Sequence, residues 1–189
     1  VGRLVRTKGA QDIVRALALA PELDATLDIV GQGPEKEICE DLVRQHGLEC
    51  KVTLHGFRPR EEIERFYRNA DVFVFPSYQE PGGIVIPEAM SHSLPLIVAD
   101  RGGPASATTD ETAIRLPITT PENLSRDIAQ ALRRLVNDPD LRIRMGKAGY
   151  EHARRTFLWS AKLDRIETVY AEIAVTRPQP QPVLVAAPI

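Results

Sequence analysis

Short β-branched apolar runs alternate with amphipathic stretches through the first two thirds of this 189-residue sequence, and that alternation constrains the fold more than any other feature. The strand-like runs are Val1–Val5, Ala25–Val30, Lys51–Leu54, Asp71–Phe75 and Pro95–Ala99, with Ala113–Leu116 as a further one of the same kind. Between them the apolar spacing changes from two to about 3.6 residues, the helical period. The helical stretches lie near Ala10–Ala20, Pro34–His46, Arg60–Asn69 and Ile86–His92. Strands joined through helices pair in parallel, and a parallel sheet needs helices over both faces. The final third changes character. Thr120–Asn137, Pro139–Thr156 and Ser160–Ala174 read as three consecutive helices. Thr119 or Thr120 is placed to cap the first ahead of Pro121, and Asp138-Pro139 separates it from the second. The predicted class is α/β, ending in several helices.

The length suits one domain with a substantial core, here expected over residues 1–175. The opening VGRLV reads as the inside of a strand, as if cut from something larger. The closing TRPQPQPVLVAAPI, residues 176–189, reads as a flexible proline-rich tail. Lys and Arg number 24 against 26 acids, so no global field marks a nucleic-acid binder. Cys39 and Cys50 match no metal spacing and no disulfide framework, which suits reduced thiols in the cytoplasm. No apolar run reaches the roughly 18 residues of a membrane span, and no signal peptide opens the sequence.

Glycine and charge gather where strands end. Lys8-Gly9 follows the first run, Gly31-Gln32-Gly33 the second and His55-Gly56-Phe57 the third. Ser77 to Gly83 follows the fourth, and Arg101-Gly102-Gly103 the fifth. In an open parallel sheet all of these fall on the carboxyl rim, where ligands bind. Glycine in a turn has an ordinary structural explanation, but five clusters on one rim favour a ligand site.

The most informative stretch is PSYQEPGGIVIPEAM, in which Glu80 and Glu88 stand eight residues apart. Gly82 and Gly83 make the turn between them, and Pro87 suits a first helical turn. The pattern is strand, glycine turn and helix start, with one acid on the turn and one just inside the helix. Free backbone N–H groups at a helix start suit phosphate, and carboxylates beside them suit sugar hydroxyls. Arg3 and Lys8, flanking the first turn, are spaced to neutralise a diphosphate or else to sit in solvent as surface charges. Gly31-Gln32-Gly33-Pro34 has Lys36 where a dinucleotide fingerprint needs its third glycine, which disfavours NAD and leaves close approach to a small ligand open. Paired carboxylates also admit acid/base hydrolysis, without a visible partner for that role. His46, His55, His92 and His152 have no metal-ligand spacing; His46 and His152 read as surface residues, and His55 and His92, nearer the rim, as structural. The basic run Arg142, Arg144, Lys147, Arg154 and Arg155 reads as a solvated face.

Together GRLVRTKG, GQGPEKE, VTLHGF, ADVFVFPS, EPGGIVIPEAM, PLIVADRGGP and FLWSAKLDRIETVY resemble the carboxyl-terminal domain of GT-B fold retaining glycosyltransferases of family 4, in family order over about residues 1–175. The resemblance implies a Rossmann-like parallel sheet that binds a nucleoside-diphosphate sugar, with no obligatory metal or other cofactor. It implies that Arg3 and Lys8 hold the donor diphosphate and stabilise its departure. Glu80 would grip donor sugar hydroxyls, making Arg3, Lys8 and Glu80 the catalytic set. Glu88 would take the ribose hydroxyls, and Gly31, Gly33, Gly82, Gly83, Ile84 and Val85 would complete the donor site. The sequence departs from the family pattern at Gly82, Ser106 and Ala113. A saccharide or lipid-linked acceptor would bind through an amino-terminal domain outside this chain, leaving the chain inactive alone. The implied location is cytoplasmic, with any peripheral membrane contact made by the full-length protein. A non-catalytic nucleotide-sugar-binding subunit, or a GT-B nucleotide-sugar epimerase, is the alternative.

Overall fold

The computed structural model describes residues 1–176. A 3-10 turn at Arg6–Lys8 leads into α1 (Ala10–Ala18), followed by β1 (Leu27–Val30), α2 (Lys36–Gln45), β2 (Val52–Gly56), α3 (Arg60–Asn69) and β3 (Phe73–Phe75). Next come α4 (Val85–Ser91), β4 (Leu96–Ala99), α5 (Gly102–Ala107) and β5 (Ala113–Leu116). Three helices close the described chain: α6 (Pro121–Asn137), α7 (Pro139–Thr156) and α8 (Trp159–Thr176). The tail expected from residue 176 lies, from residue 177 onward, outside the described residues.

Every ladder is parallel, as the strand–helix alternation requires. Leu27 stands opposite Val52 in the β1–β2 pair, and Phe73, Leu96 and Ala113 are in register across β3, β4 and β5. The strands form two sheets, β1-β2 and β3-β4-β5, rather than one. The first expected strand accounts for the difference. Residues 1–5 are extended, with the Gly2 N–H on the Val30 carbonyl and the Leu4 N–H on the Gln32 carbonyl, both at 2.9 Å. Those bonds fall at the carboxyl end of β1, so the overlap is too short for a regular strand, and the chain then tightens into the 3-10 turn.

Two glycines permit this approach. A Cβ on Gly31 would lie 1.7 Å from the Gly2 carbonyl oxygen, and one on Gly33 only 2.2 Å from that of Leu4. The GQG sequence is therefore explained by chain packing.

Period-two alternation puts the two sides of β4 into separate apolar clusters. Leu96 and Val98 pack with Phe73, Phe75, Ile86 and Met90. Ile97 packs with Val14, Ile128 and Leu135 from α1 and α6. Both faces are covered, which is why LIVA is apolar without interruption. Cys39 is buried in the second cluster, where burial pushes its thiol up to about 11, and Cys50 is exposed; both are free.

The closing helices start as their sequence signals suggest. The Thr120 hydroxyl accepts from the Asn123 N–H at 3.2 Å, and the Asp138 carboxylate from the Leu141 N–H at 2.8 Å. α7 then packs closely against the turn after α4. A Cβ on Gly146 would come within 2.0 Å of the Ser93 carbonyl oxygen, and Ser93 itself takes a left-handed φ of 56°.

Candidate functional site

The rim loops meet at Glu80. Its carboxylate accepts a hydrogen bond and ion pair from the Lys8 ammonium, and its second oxygen accepts from the Gly83 N–H at 3.0 Å and the Gly82 N–H at 3.2 Å. The Glu80 carbonyl accepts from the Gly103 N–H at 2.7 Å. The Thr7 carbonyl accepts from the Tyr78 N–H at 3.2 Å. Three segments, those after residues 1–5, after β3 and after β4, are thus joined through one acid and its neighbours. Burial opposes ionisation of Glu80, but Lys8 and the two glycine amides outweigh it and hold its carboxyl below the usual range. The Lys8 ammonium also lies 5.2 Å from the centre of the Phe75 ring, a cation–π contact that fixes its approach.

Of the glycine pair only Gly83 is conformationally necessary, since a Cβ on Gly82 would meet nothing within 4 Å. Gly83 has φ of +60°, and its N–H reaches the acid only because the chain doubles back there. Gly103 must lack a Cβ, since one would lie 2.8 Å from the Glu80 and Pro81 carbonyl oxygens.

Glu88 occupies the first turn of α4. One carboxylate oxygen accepts from the Tyr67 hydroxyl at 3.1 Å, and the other is 3.3 Å from the Arg60 guanidinium. Tyr67 is buried and its ring stacks on His92 at 5.5 Å. Burial, and then the Glu88 charge, raise its hydroxyl pKa, so it stays a donor. Arg60 is 82% exposed, so its contact with Glu88 is open to exchange with water or a ligand.

The other predicted residues divide. Arg3 is exposed, and no ion pair is recorded for it among the described residues. Gly82 and Ile84 are exposed, with Ile84 at 68% despite its apolar side chain, and Val85 is half-buried. Gly31 and Gly33 sit under residues 1–5, and Gly82 and Gly83 spend their N–H groups on Glu80. The backbone donors of Ile84 and Val85 stand at the opening of α4, where N–H groups have no intrahelical acceptor.

Tyr67, Arg60 and Phe75 escaped the sequence reading, which had Gly103 on the rim but not its bond to the Glu80 carbonyl. Only the aromatic-rich FVF and the repeated GG after a strand carried any signal of them, because their roles depend on contacts between distant segments. His55 Nε2 lies 2.6 Å from Asp28 Oδ1. Among the described residues no group of three or more His, Cys, Asp or Glu could hold a metal ion, and no helix is long and apolar enough to cross a membrane.

The family model for glycosyl transferases group 1 matches residues 1–152. The chain belongs to that family. This group 1 glycosyl transferase sequence is 34% identical over 184 residues to the D-inositol 3-phosphate glycosyltransferase of Corynebacterium diphtheriae, covering 93% of this chain and 42% of the relative. It is 32% identical over 179 residues to the alpha-D-kanosaminyltransferase of Streptomyces kanamyceticus, covering 93% of this chain and 45% of the relative. It therefore spans less than half the length of these curated relatives. In structure it resembles sucrose-phosphate synthase from Thermosynechococcus elongatus, with a TM-score of 0.77, 30% identity, and coverage of 94% and 45% of the two chains. It also shares the fold of Anabaena Alr3699/HepE in complex with UDP-glucose, with a TM-score of 0.77, 23% identity, and coverage of 90% and 47%. The Rossmann-like parallel architecture of the GT-B group 1 glycosyl transferases is the fold of this chain.

Proposed function

We propose that this chain is the donor-binding half of a retaining family 4 glycosyltransferase, which moves a sugar from a nucleoside diphosphate to a saccharide or lipid-linked acceptor. The observation that carries the reading is the Lys8–Glu80 pair, held at the carboxyl rim by the Gly82 and Gly83 amides. A structure alike in fold was solved with UDP-glucose, a ligand of the same class.

Lys8 and Arg3 are the cations for the donor diphosphate. As the sugar–phosphate bond breaks, negative charge grows on the leaving oxygen, and a cation already in place stabilises it without reorganisation. These cations replace a metal, so none is obligatory. Glu80, ionised and braced, accepts hydrogen bonds from the donor sugar hydroxyls. Glu88, oriented by Tyr67, accepts them from the ribose. The N–H groups of Ile84 and Val85 face the donor, and Gly31 and Gly33 serve it by letting residues 1–5, which carry Arg3, lie close against the end of β1. The acceptor comes to the site through a part of the transferase outside this chain. The isolated chain accordingly binds donor and does not turn it over, and the whole enzyme works in the cytoplasm.

Calorimetric titration with a panel of nucleoside diphosphates and their sugars tests this reading. Selective binding that raises thermal stability, and that is lost in Glu88→Ala, is the expected result. Equal binding by Glu88→Ala removes that residue from the site. Acceptor-dependent transfer by the isolated chain would overturn the half-site reading.

A further inference from the structure

Glu88 meets Tyr67 and Arg60 from one face of α3. The two stand seven residues apart, about two helical turns, so they share a stripe with Ile63 between them. Tyr67 is buried, and Ile63 packs on the apolar cluster around Phe73 and Ile86. Arg60, the first residue of the helix, lies at the open end of that stripe. Glu88 thus receives a neutral donor from the interior and a cation from the solvent side. Building on the donor-binding reading above, we propose that Arg60 is a specificity-determining residue, a displaceable cation on the ribose seat of Glu88. It sets how strongly the site demands ribose hydroxyls.

A carboxylate has about four acceptor positions. The Tyr67 hydroxyl takes one on Oε2, at 3.1 Å from the buried side, and the Arg60 guanidinium approaches Oε1 at 3.3 Å. A ribose brings two neighbouring hydroxyls, and both need acceptors on the side that a ligand can reach. The Glu88 side chain is 27% exposed, and the exposed guanidinium stands on that open side. Ribose and Arg60 therefore compete for the same oxygen. While the cation stays, it also draws acceptor strength from the carboxylate.

The hold of Arg60 is weak enough to give way. An exposed ion pair contributes little in water. The approach of 3.3 Å is longer than a charge-assisted hydrogen bond. A cation in the first turn of a helix also faces the positive end of the helix dipole. The acids that follow on α3, Glu62 and Glu64, are engaged by Arg65 and Arg68, and among the described residues no ion pair beyond Glu88 is recorded for Arg60. Leaving Glu88 breaks no second contact of that kind. Tyr67 and Arg60 thus act on one carboxylate with opposite sign: the hydroxyl orients it for ribose, and the guanidinium competes with ribose. Any general attraction of Arg60 for a diphosphate acts alike on ribose and dideoxyribose ligands, so it cancels in the ratio of their affinities.

The test is calorimetric titration of the full 189-residue chain with UDP, GDP and ADP, and with the 2′,3′-dideoxy form of each. In Arg60→Ala the ratio of ribose to dideoxyribose affinity is expected to rise about threefold, the scale of an exposed ion pair. The rise comes from tighter binding of the ribose ligand. With Glu88→Ala already in place, Arg60→Ala is expected to leave the ratio where it was, which completes a double-mutant cycle on the pair. If Arg60→Ala unfolds, Arg60→Gln is judged by the same ratio. A ratio that stays level or falls overturns the inference, and so does a rise that survives without Glu88; both leave the donor-site reading standing. A parent chain that binds none of these ligands, or binds both forms of each equally, overturns that reading and the inference with it.

Discussion

The Lys8 ammonium and the Glu80 carboxylate form an ion pair across 72 positions of sequence, and the same carboxylate collects two glycine amides. An acid held by three donors is geometrically fixed, and each donor favours its charged form. The pair also ties the first loop of the fold to the loop after β3, so its loss should be felt as stability as well as in any ligand affinity.

That arrangement gives a definite acid dependence. The folded pKa of Glu80 lies below its ordinary value, so its contribution to stability is complete above the ordinary carboxylate range and disappears as pH falls through the folded value. Thermal unfolding of Glu80→Gln should lie below that of the parent at neutral pH, and the two curves should converge on acidification. A gap that persists at the acid end would assign the loss to packing instead.

Gly33→Ala should be severe and Gly47→Ala mild. The first places a methyl 2.2 Å from a backbone oxygen that has no room to retreat, whereas Gly47 has φ of +64° with nothing within 4 Å of the added carbon. Denaturant unfolding is expected to show a loss of about 3 kcal/mol for the former, from overpacking. The latter should lose only about 1 kcal/mol, from left-handed strain. Similar losses at both sites would mean that residues 1–5 do not pack as seen.

Tyr67→Phe removes the hydroxyl that orients Glu88 and leaves the ring stack on His92 in place. On the proposed reading, nucleoside diphosphate affinity falls roughly tenfold, corresponding to about 1.4 kcal/mol. The same variant should bind a 2′,3′-dideoxyribose analogue as the parent does, since that ligand has no ribose hydroxyls for Glu88 to hold. Equal weakening for both ligands would reduce Tyr67 to a packing residue.

Nucleotide binding should be indifferent to chelation. On the proposed reading, in which Lys8 and Arg3 hold the diphosphate, excess EDTA is expected to leave calorimetric affinity within about twofold, well inside the tenfold that about 1.4 kcal/mol represents. A larger drop would require a metal that the proposed cations do not replace.

Much of this architecture could be read from residue order alone. LIVA and FVF are so apolar that only a sheet covered on both faces can hold them, and Thr120-Pro121 and Asp138-Pro139 mark helix starts by local chemistry. Glu80 and Glu88 stood out because carboxylates are unusual in such apolar company. VGRLV misled as a strand, since its sequence has strand character but its position gives it ladder partners only at the end of β1. α5 was missed because Gly102, Gly103 and Pro104 are poor helix formers, and the helix there is set by the contact of Gly103 with the Glu80 carbonyl. Gly31 and Gly33 looked like ligand glycines, since a close neighbour leaves the same mark on sequence whether it is a phosphate or the chain itself. Arg60 and Tyr67 were invisible for a plainer reason: each is an ordinary helical residue until α3 is laid beside α4.

The seating of Gly146 on the Ser93 carbonyl gives the acid of α4 a foundation independent of the rim loops. Because α7 is seated on the turn after α4, the two helices shift together or not at all, and Glu88 takes its bearing from that packing. Mutational drift would act differently on the two ends of a donor. On the proposed reading, substitutions near Gly82 and Ile84 would retune which sugar is held, while the point at which the nucleoside is anchored would stay where the carboxyl-terminal helices put it.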